Sequence, residues 1–149
     1  MADKPDPFEE PARRLQARDP EDVAAKAGAL WEEGRLVIPF LSWEISLGLP
    51  SISFKVPPFL DTFTLKLLTL LYLDRADGRA ISNQWVPYRE LPDGLFYAKS
   101  FNETVEARVA GRFGKDPQEF RSAIAKLGAE AVEQGDTGAL LRSFPRIPL

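Results

Sequence analysis

Cysteine and histidine are both missing from this chain of 149 residues. The first absence excludes disulfides, thiolate-held zinc or iron–sulfur centres, and a cysteine nucleophile. The second removes the commonest general base near neutral pH and the commonest transition-metal ligand. No protein-ligated iron–sulfur or zinc site is possible through either residue type, so any chemistry falls to Asp, Glu, Lys, Tyr or Ser, or to a borrowed cofactor. Long hydrophobic runs are missing as well. The longest, residues 63–73, is interrupted by Lys66 and is too short for a bilayer, which takes roughly 20 residues. Met1-Ala2-Asp3-Lys4-Pro5 carries no apolar leader. A basic surplus is also absent: 19 Lys and Arg against 22 Asp and Glu give a net charge of −3, which shows no nucleic-acid footprint. These absences predict a cytoplasmic protein that binds neither membrane nor nucleic acid.

What is present is an ordinary globular composition, 44% apolar and 28% charged. A chain of this length is one domain by size and buries roughly 70% of its unfolded surface. Residues 1–18 are polar, charged and proline-bearing, and read as a flexible segment with at best a loosely docked helix over Phe8–Arg18. The single α+β domain is expected over 19–149. Asp19-Pro20-Glu21-Asp22 is a helix start, with Asp19 as N-cap and Pro20 at the first helical position. Val23, Ala27, Leu30 and Trp31 then share a face, and Gly34 is the expected stop. From Leu36 the period falls to two. Leu36–Ile38, Trp43–Leu47 and Ile52–Val56 predict a small antiparallel meander over 35–56, turning at 48–51.

Asp61 or Thr62 should cap a second helix to about Asp74. It is apolar on nearly its whole circumference and so is expected to be the buried central helix. Residues 79–99 read as irregular, with a short hairpin at Pro92-Asp93-Gly94. Ser100-Phe101-Asn102-Glu103 has the form of a capping box, opening a helix to Phe113. Asp116-Pro117 opens another, and the two should form a C-terminal αα pair. Gly135–Gly138 is a turn, and 139–141 and 144–149 read as extended strands beside the meander.

The stretch 85–101 concentrates aromatic rings and charge on backbone that Pro87 and Pro92 keep from being one helix. Arg89-Glu90, flanked by Trp85, Tyr88 and Tyr97, is the leading candidate site. Rings supply apolar walls, and Arg89 supplies a planar, permanent cation for a carboxylate or phosphate. The structural alternative is an ion pair and packed rings that only hold the loop. Arg142, Phe144 and Arg146 are the second candidate: the two arginines, four apart on extended chain, should share a face where both could meet an anion; the alternative is a solvated edge. Glu44 beside Trp43 is a weaker candidate acid. The acids at 74, 77, 90 and 93 match no metal loop. No phosphate loop, dinucleotide fingerprint or nucleophile elbow occurs.

Leu70–Leu73, the block Trp85-Val86-Pro87-Tyr88-Arg89-Glu90-Leu91-Pro92-Asp93-Gly94, Tyr97, Phe101, Leu127-Gly128, Gly135-Asp136 and the ending Phe144-Pro145-Arg146-Ile147-Pro148-Leu149 carry a resemblance. In this order they resemble the domain of unknown function 3786 family of bacterial and archaeal proteins, from about residue 20 onward. The resemblance implies no established activity. Some similar proteins also bear a cysteine-rich segment of iron–sulfur type, which implies an anaerobic redox or corrinoid setting as context only. Similar proteins continue beyond the Pro-Leu ending, so either the sequence is cut short here or this member lacks a terminal strand; a missing strand would leave an unpaired edge open to a partner or a second copy.

Three functions are therefore expected. The foremost is a non-catalytic binding or accessory module for an anionic small molecule, a tetrapyrrole-like cofactor or a partner protein. The second is an enzyme using Glu90 or Tyr97, with Arg89 as electrostatic clamp. The third is a structural subunit that docks, or forms a homodimer, through the C-terminal strand edge.

Overall fold

A computed structural model describes residues 6–82, 84–132 and 138–148. The fold is α+β, and the chain divides into two compact units: Met1–Ala80 with Leu140–Leu149, and Ile81–Ala139.

The first unit begins with α1 (Glu9–Gln16). This helix docks more firmly than its charge suggests: Leu15 is fully buried. Arg14 Nε donates to both oxygens of Asp74 at 3.0 Å, and Arg18 Nη1 donates to the carbonyls of Leu73 and Asp74 at 3.2 and 3.0 Å. The expected flexibility of residues 1–5 lies outside the described residues. Helix α2 (Pro20–Ala27) starts as expected, its Asp19 side chain accepting from the Glu21 N–H. It stops at Gly28 rather than Gly34. Gly28 is left-handed at φ 67° and closes the helix, and the Ala29 N–H returns to the Ala24 carbonyl. Leu30 and Trp31 are thereby released into a strand.

That strand, β1 (Leu30–Glu32), edges a meander with β2 (Arg35–Phe40), β3 (Trp43–Gly48) and β4 (Ser53–Lys55) in the order β1-β2-β3-β4. Leu36 faces Leu47 and Ile38 faces Ile45 across β2 and β3, and all four are fully buried. The alternation in the sequence thus fixes which face meets the helices.

Helix α3 (Phe63–Arg75) shares one buried core with that face. The Thr62 side chain caps it by accepting from the Leu65 N–H at 3.2 Å. The expectation of burial on most sides is corrected. Leu65, Thr69, Leu70, Tyr72 and Leu73 are buried, but Phe63 and Leu68 are exposed and Leu67 and Leu71 half-buried. The sheet and α1–α2 cover one side of the helix and leave the other open. The C-terminal segment does not join the meander either. β7 (Arg142–Phe144) and β8 (Ile147–Pro148) form their own antiparallel hairpin. It meets the β2–β3 turn, where the Leu41 N–H donates to the carbonyls of Arg142 and Ser143.

In the second unit, a 3-10 turn (Tyr88–Glu90) leads into α4 (Gly94–Phe101). The hairpin expected at Pro92–Gly94 is instead the entry to this helix. Asp93 takes φ 60°, and a Cβ on Gly94 would stand 2.1 Å from the Tyr88 carbonyl oxygen, so only glycine lets the turn close over the helix start. The Ser100–Glu103 capping box is not used. The chain stays helical through a π-helical segment (Asn102–Glu106) into α5 (Ala107–Phe113), because nothing from Leu95 to Phe113 breaks it. Helix α6 (Pro117–Lys126) has the expected Asp116 cap, accepting from the Glu119 N–H at 2.9 Å. It pairs with α5 through Arg112–Glu119 and an edge-to-face contact of Phe113 with Phe120. β5 (Glu130–Val132) and β6 (Gly138–Leu140) form a two-stranded ribbon. The turn expected over 135–138 lies outside the described residues except for Gly138. Ile124 is the one buried apolar side chain larger than alanine among the described residues of this unit.

Candidate functional site

The open side of α3 and the C-terminal hairpin border an open hollow of about 440 Å³ in the first unit. Its walls are Leu68 and Leu71 of α3 and Ile147 of β8. Its floor is a stacked pair, Tyr72 and Phe144, with ring centroids 4.5 Å apart and planes 14° from parallel. The helical period explains the wall: Leu68, Leu71 and Arg75 are three and four residues apart and share a face. Phe144 is held from behind by Phe40 at 5.2 Å.

Three arginines reach this hollow: Arg75, Arg79 and Arg146. Arg79 Nε stands 3.0 Å from the Asp77 carboxylate. Arg146 donates from Nη1 to the Arg79 carbonyl at 3.0 Å and from Nη2 to the Ala25 carbonyl at 3.3 Å; its Nε is buried without a partner. Its backbone N–H donates to the Tyr72 hydroxyl at 3.3 Å, and that hydroxyl donates to the Ala27 carbonyl. Burial pushes the Tyr72 hydroxyl above its ordinary pKa, against a smaller opposing pull from the Arg146 N–H and charge. The Tyr72 proton is thus committed to a structural bond. The hollow offers shape, apolar contact and cationic donors.

Arg146 and Phe144 are the residues of the two leading sequence-predicted groups among its linings. Arg146 does not share an extended face with Arg142: Arg142 lies on β7 and is exposed, whereas Arg146 sits in the turn between β7 and β8. The two-residue period does not carry through that turn. The aromatic block belongs to the second unit. Tyr88 stacks on Phe101 at 4.2 Å with planes 7° apart. Trp85 and Tyr97 are more than half exposed, and Arg89 and Glu90 are exposed on the 3-10 turn without an ion pair between them. Glu90 and Tyr97 therefore lack the burial that the enzymatic reading asks for. The strand-edge expectation ends on Leu149, outside the described residues. Leu68, Leu71, Arg75 and Arg79 were missed because the hydrophobic run read as all core. The available signal was Arg75, one turn beyond Leu71.

Among the described residues, no group of three or more acidic side chains is placed to hold a metal ion. No helix among them is long and apolar enough to cross a membrane. The family model of DUF3786, a domain of unknown function, matches residues 19–149, and the chain belongs to that family. No curated protein and no solved structure shows significant similarity to it.

Proposed function

We propose that this member of the DUF3786 family is a non-catalytic binding module that holds a small, mostly apolar molecule between α3 and the β7–β8 hairpin. One observation carries the reading. A helix face bearing Leu68 and Leu71 is left open over an aromatic floor, forming a hollow of about 440 Å³. Small-molecule sites run from roughly 300 to 1,000 Å³ and are lined mainly by apolar side chains with a few placed polar groups. The reading keeps the cytoplasmic setting, with which the lack of cysteine agrees.

The test is titration with anilinonaphthalene sulfonate, an apolar fluorescent anion, against the full chain and Leu68→Glu. Leu68 is 49% exposed, so the fold tolerates the carboxylate, which projects into the hollow. Wild type should bind the dye with one saturable site, and the variant should lose that site while keeping its circular dichroism spectrum. Equal binding by both proteins would refute the assignment.

A further inference from the structure

Resting on that groove, we infer that its ligand is a soluble single-chain amphiphilic acid whose anionic group sits on Arg75. Of the three guanidinium groups at the hollow, Arg79 faces Asp77, and Arg146 places one bond from each Nη on a backbone carbonyl while its buried Nε has no partner, so Arg146 is fixed in place and Arg75 is the guanidinium without a protein acceptor among the described residues. Arg75 is exposed and forms no ion pair with any described carboxylate. The acceptors nearest to it in sequence are already taken. The Asp74 carboxylate is held by Arg14, and the carbonyls of Leu73 and Asp74 by Arg18. Arg75 is thus a planar cation with five donors at the mouth of an apolar hollow, the geometry that accepts a carboxylate or phosphate.

The position of Arg75 also sets the shape of the ligand. Helical side chains lean toward the N-terminus, so Arg75 lies over the turn that carries Leu71. An acid bound there lays its apolar chain along Leu71, Leu68 and Ile147. Leu71 and Arg75 line a second hollow, against α1, whose other charged linings are Asp6, Glu9 and Glu10 with Arg13 and Arg14. Apart from Arg75, that side carries three acids against two bases. With Glu10 paired to Arg14, the acids Asp6 and Glu9 bias an anion held by Arg75 toward the Leu68–Ile147 side.

The test is isothermal titration calorimetry of the full chain with decanoate, decanol and decylamine at neutral pH, repeated with Arg75→Gln and Arg75→Lys. A hydrogen-bonded charge pair at a partly open site is worth a factor of about ten or more in affinity. Wild type should therefore bind decanoate about tenfold more tightly than decanol, and decylamine more weakly still. Arg75→Gln should bring decanoate down to the level of decanol and leave decanol unchanged, and Arg75→Lys should restore part of the preference. Decanol binding as tightly as decanoate, or Arg75→Gln weakening both alike, would overturn the assignment of the anion while leaving the groove standing. Wild type binding none of the three would remove the groove reading as well. Association with phosphatidylglycerol vesicles in the absence of decanoate binding would overturn the soluble ligand in favour of a lipid surface.

Discussion

Tyr72→Phe removes one oxygen atom and tests how the C-terminal hairpin is fastened to the helical layer. The Tyr72 hydroxyl donates to the Ala27 carbonyl at the end of α2 and accepts from the Arg146 N–H in the hairpin turn. The ring itself is stacked on Phe144 and stays in place in the variant. Two backbone groups then lose their partner in a part of the unit where Tyr72 is only 8% exposed. Each ordinary hydrogen bond contributes about 0.5–1.5 kcal/mol net, and buried groups left unpaired cost more, so the expected loss is about 1–3 kcal/mol. The assay is urea unfolding followed by tryptophan fluorescence in a Trp85→Phe background, so that Trp31 and Trp43 of the same unit report. The comparison also has an alkaline signature. Burial raises the Tyr72 pKa above its ordinary 10.0, so the folded state holds the proton more tightly than the unfolded chain. That contribution is fully present below the unfolded pKa and is lost as pH rises from there through the folded value. Wild type should therefore lose stability more steeply than Tyr72→Phe at pH above about 10. A variant within about 0.5 kcal/mol of wild type, the scatter of substitutions that touch nothing, with the same alkaline slope, would refute the clasp.

Two further substitutions test the backbone turns. Gly28→Ala places a Cβ 3.0 Å from the Pro145 Cβ at φ 67°, and should cost about 1–2 kcal/mol from the left-handed strain alone, read as a lower urea midpoint with an unchanged slope. Gly94→Ala drives a Cβ to 2.1 Å from the Tyr88 carbonyl oxygen. It should open the 88–94 turn, and limited proteolysis should then cut near residue 90 faster than in wild type.

The parts of the fold legible in the sequence are those decided by neighbours in the chain. Asp19, Thr62 and Asp116 each cap the helix they precede, because a side-chain oxygen next to free N–H groups needs nothing from elsewhere. The pairs Leu36–Leu47 and Ile38–Ile45 follow from alternation, because a half-buried sheet has only one register that hides them. What local pattern could not settle was competition between signals. Gly28 and Gly34 both punctuate the first helix, and the nearer one wins because the chain must turn there to let Pro145 approach. The Ser100–Glu103 box lost to an uninterrupted helix whose start depends on the close contact of Gly94 with Tyr88.

The site was legible only in kind. An arginine beside aromatic and apolar side chains was the expected chemistry, and Arg146 and Phe144 line the hollow. The role of each arginine, however, follows from acceptors far away in sequence. Arg146 meets the carbonyls of Ala25 and Arg79, 121 and 67 residues distant. Arg14 reaches Asp74 across 60 residues, and Arg18 reaches the carbonyls beside it across 55 and 56. Those long-range bonds consume the acceptors around Arg75 and leave its guanidinium available. The Arg14–Asp74 pair anchors the end of α3 that presents Arg75, so the acid preference proposed for the groove depends on a helix that composition alone marked as a loose tail.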